Sequence, residues 1–293
     1  MGDGMPTTRV ERLDLGVFEL GESPAWDPHN EIFSWVDITP GRLHTACGET
    51  KMHAVYDCGQ PIGVARPRTA GGYVCGLRDG IALAGPRNPP STWLARGFVP
   101  STHRLNDGAC DPAGRLWVGA TAMDFGSRPG ALYRVEPDGD VRVAIDSVQF
   151  PNGIGFSPDA STMYLIDTLA HVLLAYDFDN DAGELSGARR LVVFDPEDGM
   201  PDGLAIDAEG GIWVARYGAC ALDRFDARGA MTERLLVPAA QPTCPAFGGE
   251  DFATLYVTSA WQFLAADARD EDQGAIFTAR PGVTGAPAYA FAG

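Results

Sequence analysis

Lysine is nearly absent from this 293-residue chain: Lys51 stands alone among 22 basic residues. Schiff-base or lysine-nucleophile chemistry would rest on that one residue in a polar stretch and is set aside. Positive charge is scarce altogether. With 39 acidic residues the net charge is −17, which repels nucleic acid and anionic membranes and argues against both as partners. No apolar run reaches the length of a membrane span. The opening MGDGMPTTRVERLDL lacks the basic stretch and apolar core of a signal peptide, so a cytoplasmic protein is expected. The six cysteines (Cys47, Cys58, Cys75, Cys110, Cys220, Cys244) form no CxxC and no cluster. They are read as reduced and mostly buried, with neither a disulfide frame nor a zinc site. The five histidines (His29, His44, His53, His103, His171) include no HExxH or HxH, and there is no GxSxG elbow or P-loop. NGIGFSP resembles half a dinucleotide fingerprint, but it lacks the third glycine and runs into a strand-like segment. His103 is read as a surface residue.

What is present is turn punctuation. The chain holds 36 glycines and 22 prolines, a density that suits many short strands. Six segments repeat one form, small or apolar residues ending in an aromatic: Ile32-Phe33, Gly72-Tyr73, Leu116-Trp117, Met163-Tyr164, Ile212-Trp213 and Leu255-Tyr256. The aromatics lie 40, 44, 47, 49 and 43 residues apart, and turns such as DPAGR, SPDAST and DAEGG precede most of them. A β-type period in the forties predicts an all-β, six-bladed β-propeller with four strands per blade, one domain over residues 1–293. A β-sandwich would explain single strands but not the six-fold recurrence. The stretch Val10–Leu20 precedes the first unit and is expected to supply a strand that closes the last blade.

One position in the repeat is polar. Eleven residues before the aromatic stand Glu22, Asn106 and Asp202 in units one, three and five. Twelve before, across the longer SPDAST turn, stands Asn152 in unit four; units two and six give Ile62 and Pro245. The first strand of each propeller blade lines the central channel, so equivalent positions converge at one mouth. Two carboxylates and two amides there suit a divalent cation, and the acids would repel each other without one. Any single NDG or PDG is only a turn; recurrence of an oxygen-bearing side chain is what makes these residues candidate ligands. Asp107 is read as a turn residue or a support behind them.

The segments GESPAWDP, RLNDGACDPAGRLWVGA, PNGIGFSPD, PDGLAIDAEGGIWVA and FGGEDFATLYVTSA resemble the regucalcin/gluconolactonase family of six-bladed sugar lactonases, from about Gly21 to the C-terminal FAG. The resemblance implies one divalent metal ion on Glu22, Asn152 and Asp202, and substrate contacts from Arg104 and Asn106. Calcium is the first expectation; the same donors admit zinc, manganese, magnesium or ferrous iron. Many relatives carry an acid in a loop after the third aromatic strand. Here that stretch is ATAMDFGSRPGALY, where Asp124 is the only acid and takes the expected substrate-binding role.

The implied reaction is hydrolysis of an aldonolactone to its aldonic acid. The cation would activate a water and polarise the carbonyl, with Asp202 both ligand and general base. Arg104 would orient hydroxyls or steady the oxyanion. Met123 and Phe125 are read as an apolar flap, Tyr217 as a wall, and Trp26, Trp35, Trp93 and Trp261 as packing residues. Two other readings stay open: a broader esterase or organophosphate hydrolase, and a calcium-binding regulatory or interaction propeller without catalysis. The expected partner is a small-molecule sugar lactone, on a monomer or weak oligomer.

Overall fold

The structure, a computed structural model, describes residues 8–47 and 52–293. Lys51 and the first seven residues of the opening segment lie outside the described residues. Short strands bounded by turns form six four-stranded antiparallel sheets, the blades of a β-propeller. Blades one to five are each built of consecutive strands and begin at Gly21–Asp27, Ile62–Pro67, His103–Cys110, Pro151–Phe156 and Met200–Ile206. Blade six begins at Pro242–Gly248 and takes its outer strand from the other end of the chain. Val10–Leu13 pairs antiparallel with Ile276–Ala279, Val10 opposite Ala279, so the expected closing strand is there. First strands of neighbouring blades touch one another all round the ring. They are mostly buried, whereas a fourth strand such as Glu184–Val193 is largely exposed.

All six repeat aromatics lie on second strands. Six apolar clusters fill the spaces between neighbouring blades, one to each interface. Trp117 and Trp213 are wholly buried in two of them, and the preceding turns explain how a buried indole N–H is satisfied. Asp111 Oδ2 accepts from Trp117 Nε1 at 2.8 Å and from Arg115 Nε at 2.6 Å, while its Oδ1 accepts the Ala113 and Arg115 amides. Asp207 does the same for Trp213, Arg224 and the Glu209 and Gly211 amides. Trp26 and Trp35 are buried as expected, but Trp93 is partly exposed, its ring covered by the Arg96 guanidinium at 4.2 Å.

The C-terminal segment crosses the end of the ring where the first strands finish. Ala208 donates to the Thr284 carbonyl and Gly285 to that of Phe252, then Phe291 buries its ring between blades two and three and donates to the Pro67 carbonyl. Cys75, Cys110 and Cys244 are buried, Cys220 is exposed, and no disulfide occurs among the described residues. Among the described residues no helix is long and apolar enough to cross a membrane.

Candidate active site

At the opposite end, where the first strands start, one cavity of about 110 Å³ is lined by Glu22, Arg104, Asn106, Asn152 and Asp202. Strand pairing shows how they converge. Asn106, Asn152 and Asp202 share one aligned position, the irregular step where the first strand slips register against the second. Counting from the aromatics misplaces the other three blades. In blade two, Val74 and not Tyr73 fills the aromatic's aligned place, so the ring position is Gly63 rather than Ile62. In blade six the longer turn shifts it from Pro245 to Thr243, which donates to the Gly21 carbonyl at 2.5 Å. In blade one Glu22 pairs with Val36, one step ahead of the ring position; Ser23 fills that position in left-handed backbone, φ 51°. Ser23 turns its hydroxyl toward blade two, where Arg66 donates to it at 2.7 Å and to Asp107 at 3.2 Å. Gly63 is required where it stands, because a Cβ would collide with the Leu105 and Asn106 carbonyls.

Hydrogen bonds fix the amides. Thr168 Oγ1 donates to the Pro201 carbonyl at 2.8 Å, so it must accept, and Asn152 Nδ2 donates to it at 3.1 Å and to Asp202 Oδ1. Asn152 Oδ1 is thereby left buried with no partner. Asn106 Nδ2 is tied to the Pro151 carbonyl at 3.0 Å, and its Oδ1 accepts from Arg104 at 2.6 Å. Glu22 Oε2 accepts the Ser23 amide at 3.1 Å.

Burial, then the charges of Asp202 and Asp107, push the Glu22 carboxyl well above the usual carboxylate range. Asp202 is raised in the same way, by burial first and then by Asp107, with Asn152 and Arg104 pulling back. Burial draws Arg104 down to about 10, against the pull of Glu22 and Asp202. No salt bridge reaches either carboxylate among the described residues. Two buried acids short of positive charge and a buried amide oxygen without a donor fit a hard cation with oxygen ligands. With only two acids, no trio of His, Cys, Asp or Glu gathers as a metal site among the described residues.

Asp124 is not brought in. It is exposed and accepts from Ser127 Oγ at 2.5 Å, because its loop turns the carboxylate back on itself while presenting Phe125 to the cavity. Met123 is exposed and outside the lining; Phe125 and Tyr217 are in it. His103 is buried rather than superficial, 3.1 Å from the Pro129 carbonyl through Nε2, and does not line the cavity. Phe150, Thr168, Gln262 and Phe263 also line the cavity and carried no recognisable motif.

Comparison with known proteins identifies the family of the fold. The SMP-30/gluconolactonase/LRE-like family model matches residues 20–261. Regucalcin of Danio rerio is 33% identical over 297 residues, covering 99% of this chain and 100% of that one. The 6-deoxy-6-sulfogluconolactonase of Pseudomonas putida is 33% identical over 279 residues, covering 94% and 95%. A solved calcium-binding regucalcin of Agrobacterium tumefaciens superposes with a TM-score of 0.92 at 30% identity, covering 98% and 99%. The chain belongs to the SMP-30/gluconolactonase/LRE-like family of six-bladed propellers.

Proposed function

We propose that this protein hydrolyses a sugar lactone to the aldonic acid, using one divalent cation, calcium first among the candidates, held by Glu22, Asn152 and Asp202. The buried, partnerless Asn152 Oδ1 beside two buried carboxylates carries the reading. When bound, the ion would supply a Lewis acid that polarises the lactone carbonyl and makes water a stronger nucleophile. Asp202 accepts the proton of the attacking water on Oδ2, since Oδ1 is engaged by Asn152. It then returns that proton to the ring oxygen as the C–O bond breaks. Arg104, anchored through one nitrogen on Asn106 Oδ1 and the Leu105 carbonyl, turns its remaining N–H groups to the substrate. Asn106 thereby both contacts the substrate and orients the guanidinium. Lactonase names among the relatives support the reaction class. A monomer or weak oligomer in the cytoplasm, with reduced cysteines, completes the proposal.

Chelation followed by return of single divalent ions, with acid release followed on a panel of lactones, tests it. Turnover should vanish on stripping, return with one preferred ion, and fall by at least ~10²-fold in Glu22→Gln and Asp202→Asn. A second reading, a calcium-binding regulator, is favoured by the calcium-binding regucalcin structure. Tight ion binding without turnover of any lactone would select it.

A further inference from the structure

The wall facing the polar floor of the cavity is aromatic. Phe125 stacks on buried Phe150, centroids 6.1 Å apart and planes 12° apart, and meets Phe263 edge-on at 5.2 Å. Phe125 is 58% and Phe263 65% exposed, and both hold left-handed backbone, φ 57° and 66°. These rings come from loops of different blades, and packing in the core does not account for them. The polar groups that could meet hydroxyls are largely spent. Thr168 bonds on both sides, Tyr217 donates to the Gln262 carbonyl, and Asp124 accepts from Ser127. Beyond the three proposed ligands, the unspent groups are the outer N–H groups of Arg104, the second lone pair of Asn106 Oδ1 and the Gln262 amide.

We infer that the preferred substrate is a lactone whose edge away from the carbonyl is apolar, deoxygenated or alkyl-substituted, lying against Phe125 and Phe263. This rests on the lactonase reading above. A hydroxyl pressed on that wall gives up its water without gaining a partner, whereas a methylene gains by the same burial.

The test is kcat/KM, corrected for spontaneous opening, for glucono-1,5-lactone and for a 1,5-lactone of the same ring size that keeps the hydroxyl beside the carbonyl and lacks those on the far edge. The metal-loaded wild type is compared with Phe125→Ser and Phe263→Ser. Both rings are exposed, so the variants should keep the wild-type melting temperature. The deoxygenated lactone should be favoured by ~10-fold or more. Each serine variant should shrink that ratio by slowing the deoxygenated lactone more than the hydroxylated one. A preference for the polyhydroxylated lactone, or equal losses on both in the variants, would overturn the inference and leave the lactonase standing. Turnover of neither lactone under any ion would bring down the lactonase reading, and this inference with it.

Discussion

Burial sets the Glu22 and Asp202 carboxyls well above their usual range, and that has a cost in stability with a definite sign. A carboxyl with a raised folded-state pKa holds its proton more tightly in the folded chain. Its contribution is complete below the ordinary carboxylate pKa and is lost as pH climbs through the raised one. In chelator, Glu22→Gln should therefore melt with the wild type at about pH 4 and above it at pH 8, the gap widening steadily between. Adding the preferred ion at pH 8 should reverse the order, because only the wild type gains a full set of ligands. Calorimetry across pH decides this; parallel melting curves would contradict it. At this scale much was legible. Arg104, Asn106, Asn152, Asp202 and Glu22 stand in short motifs whose chemistry is local, and all five line one cavity. Asp124 lies outside the cavity because its loop turns the carboxylate back on Ser127, and His103, expected at the surface, is buried at the start of the strand His103–Cys110; composition encodes neither placement.

Strand-and-turn units carry the repeat through a buried contact rather than through turn shape alone. Asp111 closes its turn and also satisfies Trp117 and Arg115, itself nearly buried. Asp111→Ala strands both, and should cost about 3–5 kcal/mol in denaturant unfolding. Asp111→Asn keeps part of the turn and should cost less; a loss below ~1 kcal/mol for the alanine variant would mean that the indole and guanidinium find other partners. The same elements explain where counting failed. The aromatics mark second strands well because each packs between blades, but turns differ in length and Tyr73 stands one residue early. Positions on the first strand therefore drift by one or two residues when counted from the aromatic. Phe263 was beyond reach for another reason. It lies in an irregular stretch between Thr254–Ser259 and Ile276–Ala279, far in sequence from the Phe125 ring that it meets.

As a whole the molecule is a ring with one non-consecutive joint. Deleting residues 1–13 removes the strand that completes blade six and exposes the edge of Ile276–Ala279. Losing its ladder hydrogen bonds and the Leu13 contact should lower Tm by roughly 5–10 °C and promote association through the bared edge. An unchanged Tm would show the joint to be dispensable. Phe291, wholly buried between blades two and three, ties the other chain end across the ring. The joint also governs when folding can finish. Its partners are more than 260 positions apart in sequence, so during synthesis blades one to five can form in turn while Val10–Leu13 waits unpaired. Ring closure, and with it the meeting of Glu22 with residues from later blades, must await synthesis of Ile276–Ala279, which makes closure a late and slow event for a nascent chain.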